Sequence, residues 1–275
     1  MKYNMSEFIL DGQGISAGNI TVRMAQNNHE VICAQKIRYH IFYEEFDAKP
    51  LGDIATQKRD FDKFDDYADH LIVIDNTIDD VDSAIVGTYR LMGEEGAQKA
   101  GGFYTSDEFD ISKLLENQTG LLEMGRSCVL PDYRTKAVLQ LLWQGIAEYV
   151  TYHKIRYLFG CASFHGTDPK DHAESISYLY HNHLAPSEFR PVGLKNPEVK
   201  MNTVANDDID IKKVIRGLPP LIKGYIRIGG VIGDGVYIDR EFDTVDVCVV
   251  LSTNLISDGY LKHYERKTGA EITRD

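Results

Sequence analysis

Positive charge is scarce in this sequence: 30 Lys and Arg stand against 42 Asp and Glu, for a formal net charge of -12. Phosphate backbones are held by a surplus of Lys and Arg, so nucleic acid is excluded as a general partner. Cysteine is scarce as well. Cys33, Cys128, Cys161 and Cys248 lie far apart with no C-x-x-C pair, which excludes a disulfide framework and a cysteine-based zinc site. Buried free thiols in a reducing cytoplasm are the expectation. His165, His172, His181 and His183 show no H-x-x-x-H spacing, and no metal site is expected. No run approaches the roughly 18 apolar residues of a membrane-spanning helix, and residues 1–14 lack the apolar core of a signal peptide. These absences predict a cytoplasmic protein whose membrane contact, if any, is peripheral at the inner face.

What is present is ordinary globular chain, 43% hydrophobic and 26% charged, enough for a sizeable core. Apolar periodicity predicts strands over 20–24, 70–75, 84–92, 121–130, 156–164, 235–239 and 245–251. Helices are expected over 29–45, 135–153, 172–183 and 218–227. Strands 70–75 and 84–92 are spaced as a hairpin, and 47–68 reads as a long acidic loop folded over a site. The pattern implies an α/β chain of the α+β type, with a mostly antiparallel sheet, one βαβ crossover and flanking helices. It divides the chain into a loose arm (1–18), a single domain (19–251) elaborated from about residue 172, and a tail (252–275).

The chemistry concentrates after residue 120. In a regular strand Glu123 and Arg126 face opposite sides of the sheet. A β-bulge at Met124–Gly125 would turn both onto one face and open a cleft for a thin, extended group. Arg134, Thr135 and Lys136 then lead into the long helix, whose N-terminus suits an anion. The glycine-rich loop that cradles a pyrophosphate is absent, so a single phosphate fits better, as on a carrier-bound phosphopantetheine arm.

The run EMGRSCVLPDYRT between strand and helix, ASFHGTDP after the next strand, and FDKFDDYADHLIV, VGTYRL and LPPLIKGYIRIGGVIGDGVYIDREFDTVDVCVVL together resemble the L-ornithine N-alpha-acyltransferases of the GNAT superfamily. The resemblance spans about 22–251. It implies a GNAT fold with a splayed, bulged central strand and pantetheine in the splay. It further implies transfer of a 3-hydroxyacyl group from acyl carrier protein to the α-amine of ornithine, giving lyso-ornithine lipid. A more distant similarity links Arg38, Phe42, the aspartates of 60–65, Arg90, Glu123 and Arg126 to the acyl-homoserine-lactone synthases. The tryptophan of that family is missing here, and Phe46 or Tyr43 takes its place.

On this reading Glu123 is the base, with Arg126 and Arg90 completing the catalytic group. Backbone N–H groups near Ser127 and Cys128 meet the oxyanion. Asp62 and Asp65 hold the acceptor's side-chain ammonium, Arg38 or Arg90 clamps its carboxylate, and Phe42 shares the face of Arg38. The co-substrate is acyl-phosphopantetheine, with no permanently bound cofactor. Arg134, Lys136, Lys154, Arg156 and Lys170 offer a basic surface to the acidic carrier protein. Leu221, Ile222, Tyr225, Ile226 and Ile228 either pack in the core or touch a bilayer. The alternatives are another N-acyl amino acid or lactone synthase of the same fold, and a haemolysin-like lipid-binding protein without turnover.

Overall fold

The computed structural model describes residues 12–255; the start of the expected arm and nearly all of the expected tail lie outside the described residues. The chain divides into two compact units, each taking segments from both halves of the sequence. One comprises the chain up to Phe103, Leu122–Ile155 and Arg240–Asp243; the other comprises Tyr104–Leu121, Arg156–Asp239 and the chain from Thr244 onward.

The first unit is built on an antiparallel sheet. Strand β1 (Ile15–Ala17) pairs with β2 (Ile20–Met24), and helix α1 (Asn28–Tyr39) follows. Next come β3 (Asp69–Asp75), β4 (Ile85–Gly93) and β5 (Leu121–Val129), each antiparallel to the one before it, and then α2 (Lys136–Tyr152). The hairpin expected from the sequence is β3–β4. The end of the expected loose arm is instead β1, because Gly18 (φ +61°) turns it back onto β2.

Helix α1 starts where the Asn27 side chain accepts the Glu30 N–H at 3.0 Å, and Arg23 grips both Glu30 oxygens at 2.7 Å. The helix expected over 29–45 changes character at Tyr39. Residues His40–Glu45 form a π-helical turn, closed by the Phe46 N–H donating to Ile41 O at 3.0 Å. The wider turn lets the adjacent Ile41 and Phe42 both meet the cluster of Cys33, Ala34, Ile37, Ile72, Ile85 and Cys128. The loop expected over 47–68 contains a helix, Gly52–Gln57, and a 3-10 turn, Asp65–Tyr67.

Thr135 caps α2 by accepting the Val138 N–H at 3.2 Å. Its buried stripe is Val138, Leu141, Leu142, Ile146 and Tyr149. A Cβ on Gly145 would meet Val22 Cγ1 at 2.9 Å, so glycine there sets how closely the helix lies on the sheet.

In the second unit, β6 (Tyr157–His165) is followed by α3 (Ala173–His183), α4 (Pro220–Arg227), β7 (Tyr237–Asp239) and β8 (Thr244–Ser252). Strand β8 lies antiparallel between β6 and β7 and is buried up to Leu251. Helix α4 turns Ile222 and Tyr225 into the core, while Leu221, Ile226 and Ile228 are only half-buried. Among the described residues no helix is long and apolar enough to cross a membrane.

Candidate active site

Three arginines and three aspartates interlock in the first unit. Arg38, in the last turn of α1, is fully buried. Its Nε lies 2.7 Å from Asp60 Oδ2, and Nη1 and Nη2 donate to the two Asp65 oxygens at 2.9 and 2.7 Å. Arg90, on β4, donates to Asp62 at 2.6 Å and Asp65 at 3.2 Å. Arg126, on β5, reaches Asp60 at 3.2 Å and Asp62 at 3.3 Å. Every guanidinium bridges two carboxylates and every carboxylate two guanidiniums, so the six side chains close a neutral ring.

The acidic segment is shaped by its own carboxylates. Asp62 Oδ1 accepts the Phe64 N–H at 2.9 Å, and Asp65 Oδ2 accepts the Asp62 N–H at 3.1 Å. Burial works to raise both carboxyls. Arg38 and Arg90 outweigh it at Asp65, and Arg90 and Arg126 outweigh it at Asp62, so both are held below the usual carboxylate range. Behind Asp65, burial and then Arg38 push His70 below its ordinary value. The neutral imidazole donates from Nε2 to the Asp65 carbonyl at 3.1 Å. The side chains of Asp60 and Asp65 are 2% and 4% exposed, whereas that of Asp62 is 23% exposed. Asp62 is therefore the acid of the ring that a ligand can reach.

Aromatic rings back this network. The Arg126 guanidinium stands 4.7 Å over the Phe242 ring. Phe242 in turn meets Phe42 edge to face at 5.8 Å and Tyr43 at 5.7 Å. The Tyr43 hydroxyl donates to Asp60 at 3.3 Å.

Strand β5 carries the expected bulge, but two residues later than the sequence suggests. Gly125 keeps its place opposite Arg90, and Cys128 lies opposite Thr88, so Arg126 and Ser127 together face Tyr89. It is Arg126, not Gly125, that takes the positive φ, +51°. That conformation costs a non-glycine residue about 1–2 kcal/mol, and the two ion pairs and the Phe242 ring hold it there. Glu123 is buried, at 4% exposure, directly opposite Met92. Alternation along both strands puts it on the face shared by Gly125 and Arg90. On that face a Cβ at Gly125 would meet no heavy atom of the described residues within 4 Å, so space stays open beside Glu123.

Ser127 is half-buried, while Cys128 packs into the α1 core cluster. Burial pushes the Cys128 thiol up to about 12, leaving it un-ionised and without nucleophilic work. The three residues expected to meet phosphate differ. Arg134 forks onto Glu45 at 2.5 and 2.6 Å and donates Nε to Val129 O at 2.9 Å, so its guanidinium is engaged within the protein. Thr135 is the helix cap, and Lys136 is exposed at the helix start.

One member of the site has no signal in the sequence. Phe242 lies 116 positions beyond Arg126 by numbering, and nothing local to it signals a partner.

Residues 37–144, which span the whole ring and the bulged strand, match the acetyltransferase (GNAT) domain family. Over 264 residues the chain is 42% identical to the L-ornithine N(alpha)-acyltransferase of Agrobacterium fabrum, covering 94% of this chain and 90% of that one. The L-ornithine N(alpha)-acyltransferase of Rhizobium meliloti is also 42% identical, over 91% and 86% of the two chains. Among solved structures, the CoA-dependent acyl-homoserine lactone synthase BjaI, with SAM and isopentyl-CoA, matches with a TM-score of 0.50 at 13% identity, over 93% of this chain and 92% of that one. That last likeness is one of fold.

Proposed function

The chain belongs to the L-ornithine N(alpha)-acyltransferase family, whose members match it along most of its length, and we propose that it moves an acyl group from a thioester to the α-amine of L-ornithine. Acyltransferases of this fold take acyl thioesters as co-substrates. The donor in this reading is a 3-hydroxyacyl carrier protein, with its phosphate near Lys136 and the start of α2.

An α-ammonium must lose a proton before it can attack. Glu123 receives that proton, directly or through water. The amine then adds to the thioester carbonyl. Backbone N–H groups around Ser127 and Cys128 meet the oxyanion, and collapse expels the pantetheine sulfur, which leaves as a thiol once protonated. No acyl-enzyme is required. The acceptor's side-chain ammonium goes to Asp62 and its carboxylate to Arg126, the ring's most exposed guanidinium at 13%. Arg38 and Arg90 are at most 2% exposed, so they serve by holding Asp62 and Asp65 in place.

The observation that carries the reading is the single accessible carboxylate, Asp62, in an otherwise buried and neutral ring beside the strand of Glu123. A mass-spectrometric assay with 3-hydroxyacyl carrier protein or acyl-CoA and a pool of amino acids tests it. Acyl-ornithine should form, and Glu123→Gln should lower kcat by roughly a hundredfold or more. Folded protein that transfers acyl groups from neither donor would sink the proposal in favour of lipid binding without turnover.

A further inference from the structure

Glu108, Asp239 and Asp246 bring their carboxylates together inside the second unit. One oxygen from each lies within 4.8 Å of the others, and the residues are only 3%, 8% and 4% exposed. They come from separate stretches of chain. Glu108 follows the 3-10 turn Tyr104–Asp107, Asp239 ends β7, and Asp246 lies on β8. The register sets Tyr237 opposite Asp246 and Asp239 opposite Thr244, so both aspartates and Thr244 share one face of the sheet.

Carboxylates this close and this buried repel one another strongly unless a proton or a cation intervenes. Burial, and then Asp246, push the Glu108 carboxyl up to about 8, with Asp239 acting in the same direction. Cys161 and Tyr104 hydrogen-bond the Glu108 carboxyl, yet one of its oxygens and a hydroxyl on the same sheet face stay unsatisfied. Glu108 Oε2 is buried with no hydrogen-bond partner among the described residues, and so is the hydroxyl of Thr244.

We propose that this cluster binds one divalent cation of the hard, oxygen-seeking class: Mg2+, Mn2+ or Ca2+. Oxygens around such ions lie about 2.0–2.6 Å from the metal and hence roughly 3–5 Å from one another, a range that includes the spacing found. The three donors are all carboxylate oxygens. The nearby Cys161, with Sγ 3.8 Å from Thr105 Oγ1, is held as a thiol by burial and by Glu108. It offers no soft thiolate, which disfavours zinc and copper. The bound ion ties the segment before the short strand Phe109–Asp110 to β7 and β8, and its role is to hold the second unit together.

Full-length protein, stripped with chelator and dialysed, is titrated with Mn2+ and followed by electron paramagnetic resonance. Its thermal unfolding is measured with Mg2+, Ca2+ and Mn2+ separately. Wild type should bind one Mn2+ per chain and gain a Tm that climbs with the concentration of at least one cation. Glu108→Gln and Asp246→Asn should weaken binding roughly tenfold or more and remove the Tm response. Both variants relieve the crowding of buried carboxyl groups at nearly constant volume, so in chelator their Tm should equal or exceed that of wild type. Asp82→Asn, which disables the grouping of exposed His29 and Asp82 with buried Cys33, should leave Mn2+ binding unchanged. No Mn2+ bound at millimolar concentration and no Tm response to any of the three ions would overturn the proposal. Binding that Asp82→Asn abolishes and Glu108→Gln preserves would overturn it equally.

Discussion

Asp62 and Asp65 sit on one loop, three residues apart, and differ in what surrounds them. Asp65 is 4% exposed and held by Arg38 and Arg90, whereas Asp62 is 23% exposed between Arg90 and Arg126. Removing one partner of a buried pair strands the other charge, at a cost of about 3–5 kcal/mol. Asp65→Asn should lose stability of that order in urea unfolding. Asp62→Asn should lose about 1 kcal/mol, because solvent reaches the groups it leaves. Its effect should fall instead on the acceptor, with the KM for ornithine raised roughly tenfold or more by loss of a charged hydrogen bond. A large stability loss with unchanged KM would move the ammonium site away from Asp62. The acids themselves were legible in the sequence because they crowd one short segment. Their division into holder and binder was not, because burial is a property of what packs around them.

At the scale of the element, β5 and the turn after α1 show how a local pattern can be right in kind and wrong in place. A glycine between two charged residues signalled a bulge, yet the extra residue enters at Arg126–Ser127. The ion pairs to Asp60 and Asp62 and the Phe242 ring decide this, since they hold Arg126 in a conformation that glycine would adopt more readily. Gly125 is thus free of any backbone demand. Gly125→Ala should leave stability within about 0.5 kcal/mol of wild type, while its methyl projects onto the face of Glu123 and raises the KM for the acyl donor. A variant that unfolds readily would mean that Gly125 carries the bulge after all. The π-helical turn His40–Glu45 had no sequence signal, because the helical apolar pattern does not change there. Only the core cluster it packs against rewards the widening.

At the scale of the whole molecule, the buried ring links stability to acid. Asp62 and Asp65 have folded-state values below those of an unfolded chain, about 3.9 for aspartate. Their stabilisation is fully present above that unfolded value and is lost as pH falls through the folded values. In urea unfolding from pH 6 to pH 2 their contribution should therefore hold down to about pH 5 and fall below about pH 4. Asp65→Asn should start lower and fall less steeply. Equal slopes for the two proteins would show that Asp65 is not held ionised by its arginines.

The sequence by itself determined the fold class, the order of the main strands and helices, and the stretch of chain that holds the acids and Glu123. Alternation, helical periodicity and capping chemistry are local, and a linear pattern records them. The tertiary structure decided which arginine meets which aspartate, that Arg134 faces Glu45, that Phe242 lies under Arg126, and that Glu108, Asp239 and Asp246 share one buried spot. Those pairings join residues far apart in the chain, and their strength depends on burial, which exists only once the chain has folded.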